Sequence, residues 1–125
     1  MVIRRSFLAG AVLLPAIRPA LGAPAAQEQA RIEQLIRFVE SQKDMVFIRN
    51  GTEYTSEDAG KFLRGKLEAM GSDVKTAREF IDRIATKSSM SGEPYRVKFA
   101  DGKTMLASHF LSAELKRLER PPGTY

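Results

Sequence analysis

An α+β fold is predicted for this chain: two β-hairpins and four helices in the order α-ββ-α-α-ββ-α, possible as one four-stranded antiparallel sheet packed by helices. Two observations carry the prediction. Apolar residues recur at helical spacing in four segments, and two short alternating segments fold back at Asn50-Gly51 and Asp101-Gly102. In the first helix Ile32, Leu35, Ile36 and Val39 fall at i, i+3, i+4 and i+7, with Arg31, Glu33, Arg37 and Glu40 between them and Phe38 widening the apolar face. Val46–Ile48 and Glu53–Thr55 flank Asn50-Gly51, the pair that best tolerates the positive φ angles of a type I′ turn. That turn pairs Arg49 with Thr52, Ile48 with Glu53 and Phe47 with Tyr54.

The second helix starts near Ser56, capped by Thr55 with Asp58 or by Ser56 itself. Ala59, Phe62, Leu63, Leu67 and Met70 form its buried stripe, and Gly71 ends it. Thr76-Ala77-Arg78-Glu79 is a capping box that opens a third helix, with Ala77, Phe80, Ile81, Ile84 and Ala85 inside. Lys87–Pro94 reads as a polar loop. Tyr95, Val97 and Phe99 alternate with Arg96 and Lys98, and Asp101-Gly102 turns the chain into Lys103–Leu106. Ser108 is positioned to cap the last helix, which carries Phe110, Leu111, Leu115 and Leu118 and stops at Pro121-Pro122. The hairpin-plus-helix units 46–70 and 95–119 look alike, either as a pseudo-repeat or by chance.

Residues 1–23 read as a cleavable export signal: Arg4-Arg5, the apolar run Phe7–Ile17, and small residues around Ala20-Leu21-Gly22-Ala23. Arg4-Arg5-Ser6-Phe7-Leu8 resembles the twin-arginine motif, with Ile3 where Ser or Thr is preferred; the alternative is an ordinary secretory signal. The apolar run is too short for a span, which needs about 20 residues, so no transmembrane segment is expected once the signal is removed. The expected location is the periplasm, with residues 24–125 as a single small domain with flexible ends; Ala23–Gln27 would be a flexible lead-in.

The formal charge is +5, and Arg4, Arg5 and Arg18 of the signal account for three of it. The remainder interleaves its signs, without the concentrated basic face of a nucleic-acid binder, so no nucleic-acid partner is expected. The chain has no cysteine, which rules out disulfides, thiolate metal sites and thiol nucleophiles. His109 is the single histidine. It cannot build a metal cluster alone and has no evident partner for acid-base work, so no metal, cofactor or catalytic residue is assigned.

Phe47-Ile48-Arg49-Asn50-Gly51-Thr52-Glu53-Tyr54 and Ser88-Ser89-Met90-Ser91-Gly92-Glu93-Pro94-Tyr95, with Ala59, Leu63, Lys66 and Phe80-Ile81, together resemble a domain-of-unknown-function family of small secreted proteins of Gram-negative bacteria. The likeness spans about residues 35–118. His109-Phe110-Leu111 departs from it, where a Trp is expected nearby. The resemblance implies a periplasmic location and a shared fold, and no activity.

Two places invite a functional reading. Lys87–Gly92, with Ser88, Ser89, Ser91 and Gly92, is a set of turn formers, an anion cradle, or a lysine-activated serine nucleophile that lacks both the Gly-x-Ser-x-Gly elbow and Ser-x-x-Lys. Phe47, Arg49 and Tyr54 share one strand face beside Asn50. They form either an open recognition patch or, through Arg49, a buried ion pair with a helix carboxylate such as Asp82 or Glu79. The expected function is therefore a non-enzymatic binding or accessory module, its partner an envelope protein or a small anionic ligand. The alternative is a minor serine hydrolase or anion binder built on Ser88–Gly92. Oligomeric state is not legible.

Overall fold

The computed structural model describes residues 17–121, with side chains from residue 25 onward. Arg4-Arg5 and most of the apolar run lie outside the described residues, as do residues 122–125. The first helix, α1 (Ile17–Glu40), is continuous through residues 23–27. The expected flexible lead-in is therefore helical, because Ala25, Ala26 and Gln27 are strong helix formers and Glu28 accepts a 2.8 Å hydrogen bond from the Ala77 amide. Ile32, Leu35, Ile36 and Val39 are all buried, as their spacing requires.

Strands β1 (Val46–Arg49) and β2 (Thr52–Tyr54) turn at Asn50 and Gly51, with φ of 51° and 79°. The pairing is Phe47 with Tyr54, Ile48 with Glu53 and Arg49 with Thr52, the register that a two-residue turn demands. Strands β3 (Arg96–Lys98) and β4 (Thr104–Leu106) form the second hairpin. β1 pairs antiparallel with β3, giving one sheet in the order β2-β1-β3-β4.

The helix α2 (Ser56–Met70) is capped by the Thr55 hydroxyl, which accepts from the Asp58 amide at 3.1 Å. It ends at Gly71 by close approach: φ there is an ordinary −106°, but a Cβ would stand 2.5 Å from the Leu67 carbonyl oxygen. Met70, expected in the buried stripe, is 53% exposed: it is the last residue of α2, and its sulfur accepts from the Ser89 hydroxyl at 3.6 Å. The Thr76–Glu79 capping box opens α3 (Ala77–Glu79), which widens into a π-helical turn over Phe80–Ile84, closed by the Ala85 amide on the Phe80 carbonyl. The Thr86 hydroxyl donates to the Ile81 carbonyl within that widened turn.

The last helix, α4 (Ala107–Glu119), begins directly from β4 with extended Leu106 before it and no side-chain cap. Ser108 lies inside the helix instead of capping it, because the Ala107 amide is already held by the Tyr95 carbonyl in continuation of the hairpin.

The helices cover the sheet face of Phe47, Arg49 and Val97. Val97 is fully buried, and Phe47 meets Phe110 edge-on at 6.4 Å. The opposite face carries Val46, Ile48, Glu53, Arg96, Lys98 and Thr104, none of them buried. The aromatic-plus-arginine face is thus the covered one, since Phe47 and Val97 supply the sheet's share of the core.

Candidate functional site

Arg49 ends β1 on the helix-covered face, where the sheet edge meets α2. Its guanidinium stands 4.5 Å above the Phe62 ring and 5.3 Å from the Tyr54 ring centre, and Nη2 donates to the Tyr54 hydroxyl at 3.1 Å. Among the described residues no carboxylate lies within 4 Å of it. The ion pair with Asp82 or Glu79 does not form. Asp82 sits 3.9 Å from Arg78, and the Glu79 carboxylate accepts from the amides of Lys75 and Thr76 at the N-terminus of α3.

Lys66 is the second cation of this region and is 8% exposed. Its Nζ donates to the Lys87 carbonyl at 2.8 Å and to the Tyr95 hydroxyl at 3.0 Å, and lies 4.9 Å from the Tyr95 ring centre. Tyr95 in turn meets Phe62 edge-on at 5.8 Å. The result is a chain of three rings and two cations in contact: Tyr54, Arg49, Phe62, Tyr95, Lys66. The π-turn and the Thr86 carbonyl, which accepts from the Tyr95 amide, bring the Lys87 carbonyl to Lys66. Burial, and then the neighbouring Arg49 charge, push the Lys66 ammonium below the usual lysine range. Burial raises the Tyr95 phenol, with Arg49 opposing.

The two cations line a cleft of about 360 Å³ with Phe62, Tyr95, Ser88 and Ser89. Met70 and Met90 form its lip, and Met90 is 96% exposed. The loop side of the cleft is fixed by the hairpin turn. Asn50 donates to Ser88 Oγ at 3.4 Å and accepts from Ser91 Oγ, so the two stretches singled out in sequence meet here. Ser88 is buried, and its Oγ also accepts from the amides of Met90 and Ser91. The Gly92 amide bonds the Ser88 carbonyl and the Glu93 amide bonds Ser91 Oγ. Those four amides serve the loop itself, so a ligand would meet this loop through side chains. Gly92 supplies the left-handed position, φ 77°, that closes it.

Of the residues singled out in sequence, Arg49, Ser88 and Ser89 line the cleft. Tyr54 backs Arg49, Asn50 and Ser91 tie the loop to the turn, and Phe47 belongs to the core side of the sheet. Phe62, Lys66 and Tyr95 complete the site without having been assigned to it. Lys66 carried a legible signal: it falls four residues after Phe62 and four before Met70, a lysine on the apolar stripe of an amphipathic helix. His109 is exposed on α4, apart from the cleft's lining.

Residues 26–119 match the model of DUF5329, a family of unknown function. The chain belongs to that family. The match takes in every residue of the cleft. A relative in Salmonella typhimurium (strain LT2), the uncharacterized protein YfeK, is 40% identical over 70 residues, or 56% of this chain and 58% of the relative. The chain thus spans a little over half of that relative's length. No solved structure matches. Among the described residues there is no group of three or more metal-ligating side chains, and no helix is long and apolar enough to cross a membrane.

Proposed function

We propose that this protein is an exported binding module that takes an anion at the Arg49–Lys66 cleft. The observation that carries the reading is the pairing of two positive charges, both lining one cleft and neither matched by a carboxylate among the described residues. A charged group held away from water is costly unless a counter-charge completes it. Rings and a carbonyl hold the cations in place without neutralising them, and Ser88 and Ser89 add hydroxyls on the loop side. Titration of the purified protein with inorganic phosphate and with acetate, followed by the Arg49 and Lys66 side-chain NMR signals, tests it. Saturable shifts that are lost in Arg49→Met and in Lys66→Met are expected; shifts that persist in both variants overturn it.

A serine hydrolase with Lys66 as base has one observation in its favour, a depressed lysine in the same cleft as Ser88 and Ser89. Against it, Lys66 donates to Lys87 and Tyr95, and the Ser88 oxygen accepts amides. Labelling by a fluorophosphonate probe, lost on Ser88→Ala or Ser89→Ala, would promote it.

Export rests on the sequence of residues 1–23. Replacing Arg4 and Arg5 by lysine is expected to leave precursor in the cytoplasm if the twin-arginine route is used.

A further inference from the structure

Next to the cleft lies a second pocket of about 200 Å³, partly open to solvent and lined by the sheet, α1, α2 and α4. Arg49, Phe62 and Tyr95 line both spaces, so the two adjoin at these residues. The second pocket is apolar and owes its room to short side chains, since Ala59, Ala85 and Ala107 occupy positions in its wall. Besides Arg49, its charged lining residues are Asp58, exposed on the first turn of α2, and Arg96, exposed on β3. Apolar surface left facing water in such a pocket gains free energy when an apolar group covers it. A partly open apolar pocket of this volume, sharing lining residues with a cleft that holds two unmatched cations, has the form of a receptor for an occupant that is apolar at one end and negative at the other.

We propose that cleft and chamber form a single site for a small organic carboxylate, its head between Arg49 and Lys66 and its aryl or short alkyl tail in the chamber. The inference rests on the anion reading given above and adds the chemical class of the ligand. An engineered cavity of about 150 Å³ holds benzene, so this chamber suits a tail of about six to eight carbons. Arg49 then has two tasks, to face the carboxylate with its guanidinium edge and, held over the Phe62 ring, to mark the border at which head and tail part.

The test is a calorimetric titration of the purified protein with acetate, butyrate, hexanoate, 3-phenylpropionate and decanoate, and with 1-hexanol as the uncharged match to hexanoate. Affinity is expected to rise by roughly 3- to 4-fold per added methylene up to hexanoate, from the transfer free energy of a buried methylene. It should stop rising by decanoate, and 1-hexanol should bind at least about tenfold more weakly than hexanoate, as loss of a charge-assisted contact implies. In Ala59→Leu and Ala85→Leu, each checked by a thermal melt, a filled chamber should bring hexanoate down to the level of acetate and leave acetate unchanged. Equal binding of acetate and hexanoate by the wild type overturns the chamber assignment while the anion reading stands. Equal binding of hexanoate and 1-hexanol overturns the anion reading instead. No binding of any of these probes removes both.

Discussion

Two arginines on neighbouring elements show two ways of holding a cation. Arg64, on α2, is clamped by carboxylates: its guanidinium donates to Glu33 at 2.8 and 2.9 Å and to Glu40 at 3.1 and 3.3 Å, both on α1. Every charge there has its opposite, and the clamp fixes how α1 crosses α2. Arg49 sits among Tyr54 and Phe62 with a phenol as hydrogen-bond partner. Rings orient a guanidinium but leave its charge uncancelled. The first arrangement is complete as it stands, and the second has room for a counter-ion. The contrast teaches that charge balance, more than exposure, separates the two, for both residues are half-buried.

The comparison can be broken most forcefully at Phe62. Phe62→Ala removes the ring beneath Arg49 and part of the lining shared by cleft and chamber, and a loss of about 2–4 kcal/mol is expected in urea unfolding, as for a packed aromatic truncated to alanine. A loss below about 0.5 kcal/mol would mean that the ring does not support the site.

Arg49→Met keeps the packing of the stem and removes the charge. Its expected cost is at most about 1 kcal/mol, because no buried partner is left stranded. A cost of roughly 3–5 kcal/mol would mean that Arg49 has a buried carboxylate partner after all.

The smallest effect belongs to Arg64. Hydrogen bonds from Arg64 and then Arg37 hold the Glu33 carboxyl down at about 2, against an ordinary value of 4.5. Its folded value lies below its unfolded one, so the stability it contributes is full above about pH 4.5 and is lost as pH falls from there toward 2. Glu33 is only half-buried, so solvent screening keeps the contribution below about 1 kcal/mol. Arg64→Met should flatten the stability profile over that acid window and leave anion binding unchanged. Urea midpoints at pH 7, 4 and 3 check the first, and acetate titration checks the second.

By itself the sequence determined what local rules determine. Asn50-Gly51 set the turn, and the turn set the pairing of Phe47, Ile48 and Arg49 across the hairpin; Thr55 and Thr76 placed two helix starts; helical spacing named Ile32, Leu35, Ile36 and Val39 as core. These are short-range matters, in which a few neighbouring residues choose among few backbone states. Tertiary structure decided which sheet face the helices would cover, because Val46 and Ile48 on one side and Phe47 and Val97 on the other offered similar apolar area. It also widened α3 into a π-turn and joined the Asn50 turn to the Ser88 loop across 38 residues of chain. Above all it decided the surroundings of Arg49 and Lys66. Two rings from separate segments, Phe62 and Tyr95, meet edge-on between them, and charge balance in space depends on distances that no sequence spacing states.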